Sequence, residues 1–110
     1  IQRMLQERDR RIAETLRGSL EKRSIPLVEL VVFGFRARGD ASEESDMDVL
    51  VVVESVTETI RRNVVDCAWE AGFAEGIVVV PIVITREELE NSPEAQSDFI
   101  RSVHEDGVRV

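Results

Sequence analysis

The stretch FGFRARGDASEESDMDVLVVV, residues 33–53, decides how this chain is read. An apolar strand runs out at Gly34. A polar loop with two arginines, Arg36 and Arg38, follows it. Asp46, Met47 and Asp48 then open a second apolar strand. Side chains two residues apart on a strand share a face, so Asp46 and Asp48 project side by side. The loop before them can fold a phosphate back towards them. Two carboxylates beside a phosphate cradle are what a magnesium-dependent phosphoryl- or nucleotidyl-transfer site requires. Alone, an Asp-x-Asp pair is a weak signal, because acids at a strand mouth are commonly solvated loop residues. The glycine, the loop length and the apolar strand behind the pair make it a composite signal.

Outward from this segment, the pattern predicts an α-β-loop-β-α-β-α-α order. Residues 2–23 read as a helix whose apolar stripe is Leu5, Ile12, Leu16 and Leu20. The charge run from Glu7 to Arg11 interrupts that stripe and reads as a solvated face. Ile25-Pro26 ends the helix. Residues 27–35 form strand one, with Gly34 near its end where backbone can approach a ligand closely. Residues 46–54 form strand two, apolar on both faces and therefore central. Ser55-Val56-Thr57-Glu58 reads as a capping box opening a helix to about Ala74. Gly76 stands where that helix should stop. Residues 77–84 form strand three, and Pro81 within it predicts an edge or a bulge. Thr85-Arg86-Glu87-Glu88 is a second capping box, and Ser92-Pro93 starts a last helix that stops at Gly107.

A loop-linked strand pair followed by a strand-helix-strand crossover gives a small mixed sheet. The expected fold is α/β (α+β), with helices mainly on one face. The end of strand one and the starts of strands two and three can then meet at one corner.

With 110 residues and 43% hydrophobic content, the chain reads as a single folded domain over residues 1–110. Its apolar runs are too short to span a bilayer, and its charged start lacks the apolar core of a signal peptide. One cysteine, Cys67, leaves no internal disulfide and fits a reducing cytoplasm; it reads as a small buried side chain. The net charge is −8, and Lys22 is the single lysine. Phosphate neutralisation along a nucleic acid is poorly served by such a surface. A metal-nucleotide or a basic protein partner fits it better. His104 lies near a helix C-terminus, where its charged form is favourable. Trp69 and Phe73 are expected to pack; an exposed tryptophan would mark a partner surface instead.

The segment as a whole resembles the nucleotidyltransferase superfamily that includes DNA polymerase beta, and more closely the small minimal nucleotidyltransferases. Their signature is Gly-Ser, ten residues, then Asp-x-Asp. Here ten residues separate Phe35 from Asp46, Arg36-Ala37-Arg38-Gly39 follows Gly34-Phe35, and Ser45 precedes the first aspartate. The resemblance implies Mg2+ held by Asp46 and Asp48, which are also the catalytic pair. It implies that the triphosphate of ATP or another nucleoside triphosphate is held around Gly34, Phe35, Arg36 and Arg38. Arg36 and Arg38 can equally pair with Asp40, Glu43 and Glu44, and strand alternation does not say which arginine faces the site. The resemblance further implies a HEPN-domain protein as partner in a toxin–antitoxin module. Homo-oligomerisation stays open.

Two departures stand out. Phe35 replaces the family's serine, so a hydroxyl contact to phosphate is lost. Strand three, Ile77-Val78-Val79-Val80-Pro81-Ile82-Val83, carries no third carboxylate to act as general base. Glu75 is the nearest acid, and it reads as a helix-end surface residue. Both departures favour an alternative, a binding module that acts by protein contact without catalysis.

Overall fold

The computed structural model describes residues 5–34, 37, 46–91 and 98–110. Helix α1 spans Glu7–Lys22, strand β1 Leu27–Phe33, strand β2 Met47–Val53 and helix α2 Glu58–Phe73. Strand β3 (Val79–Thr85), helix α3 (Arg86–Asn91), helix α4 (Asp98–Asp106) and strand β4 (Val108–Arg109) complete the described elements. The sheet order is β3-β2-β1-β4. β1 pairs antiparallel with β2 and β4, while β2 and β3 run parallel through the α2 crossover. The sheet is mixed, as expected, and β2 lies inside it.

Alternation along β2 explains why it is central. Met47, Val49, Val51 and Val53 face the larger core, which α1 and α2 cover with Ile12, Leu16, Leu20, Val64 and Ala68. Leu50 and Val52 face the other way, into a smaller cluster with Val31, Phe33, Val103 and Leu89. The two long helices therefore share one face. Among the described residues, the opposite face carries the short helices α3 and α4. A strand buried on both sides has no polar position to spare, which is why residues 49–53 are uninterrupted Val and Leu.

Pro81 fits the edge for a specific reason. The Met47 amide donates to the Val78 carbonyl. Successive residues of a strand point their backbone groups to alternate sides, so Val80, Ile82 and Ile84 also address β2. The amide that Pro81 lacks would face the open side. A proline there costs no ladder bond and blunts the edge against further strand pairing.

Four details differ from the sequence reading. The α2 cap is Thr57, whose hydroxyl accepts from the Ile60 amide at 3.1 Å. Ser55 therefore does not cap this helix; Thr57 offers the same chemistry two residues later, directly before the first helical turn. By contrast, the Thr85 box forms in full. The Thr85 hydroxyl accepts from the Glu88 amide, and Glu88 accepts from the Thr85 amide, each at 3.1 Å. Secondly, Asp9 in the charge run is buried. It lies four residues from both Leu5 and Ala13, on the apolar stripe itself, and in the first turn, where the helix dipole favours an anion. Thirdly, the chain ends in a strand. β4 is held by the Val110 amide donating to the Leu30 carbonyl at 2.9 Å and by Arg17 donating to the Val110 carbonyl at 2.7 Å. Lastly, Trp69 and Phe73 do not pack into the core; both are exposed. The proposed start of the last helix at Ser92-Pro93 lies outside the described residues.

α1 ends in a Schellman turn before Pro26 is reached. Ser24 adopts φ 58°, its amide donates to the Glu21 carbonyl, and the Ile25 amide donates to the Leu20 carbonyl. Gly76, φ 72°, fills the left-handed position after α2 without penalty, but Ser24 carries a Cβ there. Ser24→Gly should therefore stabilise the fold by roughly 0.5–1 kcal/mol. A thermal melt should show Tm rising by a few degrees, and an unchanged Tm would mean that Ser24 bears no strain.

Candidate active site at the mouth of strand β2

The β1–β2 register pairs Phe33 with Asp48, and the β2–β3 register pairs Asp48 with Val80. Asp48 is thus flanked by apolar residues on both neighbouring strands and is half-buried. Asp46 lies just ahead of the strand and is exposed. Burial pushes the Asp48 carboxyl above the ordinary carboxylate range, and the negative charge of Asp46 pushes it further.

Gly34 completes the corner. It follows β1 with φ 78°, and a Cβ built on it would lie 2.5 Å from Asp48 Oδ2. No real side chain tolerates that approach. The glycine supplies both a left-handed bend and the space that the Asp48 carboxylate occupies. The sequence reading expected a ligand at this bare α-carbon; the carboxylate itself already lies against it. Gly34, Asp46 and Asp48 come together as the strand pattern required. Phe35, Arg36 and Arg38, with Asp40, Glu43 and Glu44, lie outside the described residues.

The β3 side of this corner brings no acid. Val80 is the β3 residue alongside Asp48, and it brings no carboxylate. Glu75 is committed elsewhere. It accepts from Arg11 Nε at 2.6 Å and from Arg11 Nη2 at 3.0 Å, tying the end of α2 to α1. That pairing lowers the Glu75 pKa, which makes it a poor proton acceptor. Among the described residues no cluster of three or more potential metal-ligating side chains forms. The donor set at this corner is a carboxylate pair.

Residues 13–110 match the family model of the nucleotidyltransferase domain. The chain belongs to the nucleotidyltransferase family. It falls within the polymerase beta-like superfamily, as a homologue of the minimal adenylyltransferase type. It is 31% identical over 85 residues to a protein of Methanocaldococcus jannaschii named "Putative protein adenylyltransferase", across 76% of this chain and 79% of that one. Two solved structures share the fold. One is a toxin–antitoxin crystallised with AMP-PNP, with a TM-score of 0.61 at 18% identity over 92% of this chain and 70% of that chain. The other, from Sulfolobus solfataricus, is described as a "putative nucleotidyltransferase" and gives a TM-score of 0.50 at 26% identity, over 94% and 82% of the two chains. No helix among the described residues is long and apolar enough to cross a membrane.

Two stability measurements test this geometry. Gly34→Ala forces a Cβ into the left-handed region and onto Asp48, so urea unfolding should show a loss of about 1–2 kcal/mol or more. A neutral outcome would mean that the bend relaxes freely. For Asp48, a raised folded pKa means that the native state holds the proton more tightly than the unfolded chain does. The ionised carboxylate then opposes folding above its folded pKa, and the penalty disappears as pH falls below the unfolded value, about 4. Asp48→Asn should therefore melt higher than the parent at pH 7, with the gain shrinking towards pH 4. An equal or lower Tm at pH 7 would contradict the electrostatic reading.

Proposed function

We propose that this chain binds a magnesium-complexed nucleoside triphosphate, ATP foremost, and transfers its nucleoside monophosphate to a hydroxyl of a partner molecule. The observation that carries this reading is the Asp48 carboxylate lodged against Gly34 beside Asp46, in a chain of the nucleotidyltransferase family. In the transfer, the acceptor oxygen bonds to the α-phosphorus and the bridging bond to the β-phosphate breaks. Pyrophosphate leaves with the electron pair, and the hydroxyl proton passes to a base or to solvent.

Two neighbouring carboxylates, one of them partly desolvated, suit a divalent cation, because the cation removes their mutual repulsion. Asp46 and Asp48 would hold it through oxygen ligands, with the remaining positions left to phosphate and water. Bound there, magnesium supplies charge neutralisation at the phosphates. Gly34 keeps the carboxylate in reach by leaving its own β-position empty. Phe35, Arg36 and Arg38 are the proposed phosphate-side residues, with one guanidinium to balance charge in the transition state. The adenylyltransferase name of the archaeal relative and the AMP-PNP of the toxin–antitoxin structure favour an adenine nucleotide. The latter also favours a protein acceptor, of the HEPN class that the motif resemblance implies.

A second reading has its own observation. The residue that β3 sets alongside Asp48 is Val80, so this strand brings no third acid to assist an acceptor hydroxyl there. On that reading the chain holds nucleotide, neutralises a partner by contact and transfers nothing.

The discriminating experiment incubates the protein with α-labelled ATP, magnesium and the product of the neighbouring gene. The first reading expects label on the partner, lost in Asp46→Asn and in Asp48→Asn. Partner binding without label supports the second. Magnesium and ATP together should also raise Tm, as any ligand of the native state must. If neither label transfer nor a thermal shift occurs, both readings fall.

A further inference from the structure

Among the described residues, Asp9 is the one polar or charged side chain that is buried, at 1% exposure. It does not stand without a partner. Burying a carboxylate costs more than the first-turn dipole returns, so an inward Asp9 calls for a cation beside it. Helix α1 offers none in reach. Residues one and two apart on a helix do not face one another, which sets aside Arg8, Arg10 and Arg11. The positions three and four away are Leu5, Gln6, Ile12 and Ala13. Further along, Arg17 reaches Glu21 and the Val110 carbonyl, and Arg23 reaches Glu70 and Asn63.

Topology sets Asp9 level with Gly34. α1 turns directly into β1, where the Ile25 amide donates to the Leu20 carbonyl, so the helix lies back along that strand. Arg17 donates to the Val110 carbonyl and the Val110 amide donates to the Leu30 carbonyl, which puts Arg17 alongside Leu30. From Arg17 back to Asp9 is about 12 Å of helical rise. From Leu30 forward to Gly34 is about 13 Å of strand. Leu30 and Val32 face the core that α1 covers, and Ala37 is buried in that same core together with Leu5. Ala37 is at most about 11 Å from Gly34 by chain length. Its neighbours in sequence are both arginines, Arg36 and Arg38, and covalent geometry alone sets their α-carbons about 3.8 Å from its own. Asp48 shares a strand face with Leu50 and Val52, which point to the smaller cluster. Asp9 and Asp48 thus stand on opposite faces of the sheet.

We propose that Asp9 is a positioning residue for the phosphate side of the carboxylate corner. Its buried carboxylate accepts from the guanidinium of one arginine beside Ala37, Arg36 or Arg38, and braces the segment after Gly34 from behind. The other arginine is left for phosphate. The functional half of this inference rests on the nucleotide-binding reading; the ion pair rests on burial and charge alone.

Double-variant cycles in urea unfolding test the ion pair without nucleotide. Asp9→Asn is combined in turn with Arg36→Gln, Arg38→Gln and Arg3→Gln. With one of Arg36 and Arg38, the double variant should lose clearly less stability than the two single variants together. With the other, and with Arg3, the losses should add. Should Asp9→Asn alone fail to fold, the double variant with its partner arginine should fold, because it leaves no buried charge alone. Additive losses with both flanking arginines, coupling to Arg3 instead, or failure of both of those double variants to fold overturns the proposal.

Calorimetry with magnesium and ATP tests the positioning. Asp9→Asn, or the double variant where only that folds, is measured at a temperature where it is fully folded and should bind roughly tenfold or more weakly than the parent. Leu20→Val loosens the far end of the same helix and should leave the affinity as it is. Equal weakening in both, or none in Asp9→Asn, makes Asp9 a residue of the scaffold alone and overturns the positioning role. If the parent binds no magnesium and ATP while the cycle shows coupling, the nucleotide reading fails and the ion pair stands.

Discussion

The pairing of Phe33 with Asp48 across β1 and β2 is the constraint from which the rest of the candidate site follows. It sets Gly34 one residue beyond the pair, with its bare α-carbon turned to the carboxylate. It sends Val49, Val51 and Val53 into the larger core and leaves Leu50 and Val52 for the smaller one. A slip of one residue would reverse every one of these assignments and turn Asp48 into a layer with no polar partner. Because both faces of β2 are buried, that register is strongly determined. The core packing and the acidic corner are thus one decision, made by a single strand.

The corner carries an electrostatic cost that the fold tolerates for a positional gain. Asp48 lies between Phe33 and Val80, and its carboxyl is pushed up by burial and by Asp46. A solvated pair would be easier to ionise but would not be held in place. The same neighbours that desolvate Asp48 also fix it, since its strand pairs on both sides. Conflict between local stability and site geometry is expected at functional positions. The Arg11–Glu75 pair is the contrasting case. It is a surface ion pair joining α1 to the end of α2, and it serves the scaffold while committing the acid that precedes β3 in the sequence.

Much of this was legible because the signals were strong and local. The uninterrupted run after Asp48 read as an inner strand, Pro81 called for an edge or a bulge, and the Thr85–Glu88 box closes within four residues. What was hidden depends on tertiary context. β4 is two residues long and exists only because β1 offers an unpaired edge and Arg17 holds the last carbonyl. Thr57 and Ser55 are equivalent caps by chemistry, and only the start of the helix separates them. Asp9 reads as one charge in a run of five, yet its spacing from Leu5 and Ala13 places it inward. Trp69 and Phe73 looked like core because aromatic residues on an amphipathic helix usually are. In α2 the inward face is already filled by Val64, Cys67, Ala68, Ala71 and Gly72, small residues that let the helix lie close to the sheet and leave no room for rings.

That choice of small residues links the core to the surface. A helix seated closely on a sheet by alanine, glycine and cysteine has its large side chains displaced to the rim. On α2 they form a stacked pair open to solvent, beside a strand whose own edge is blunted by proline. A tryptophan and phenylalanine left exposed contribute less to folding than buried rings would, and an exposed apolar patch raises the risk of aggregation.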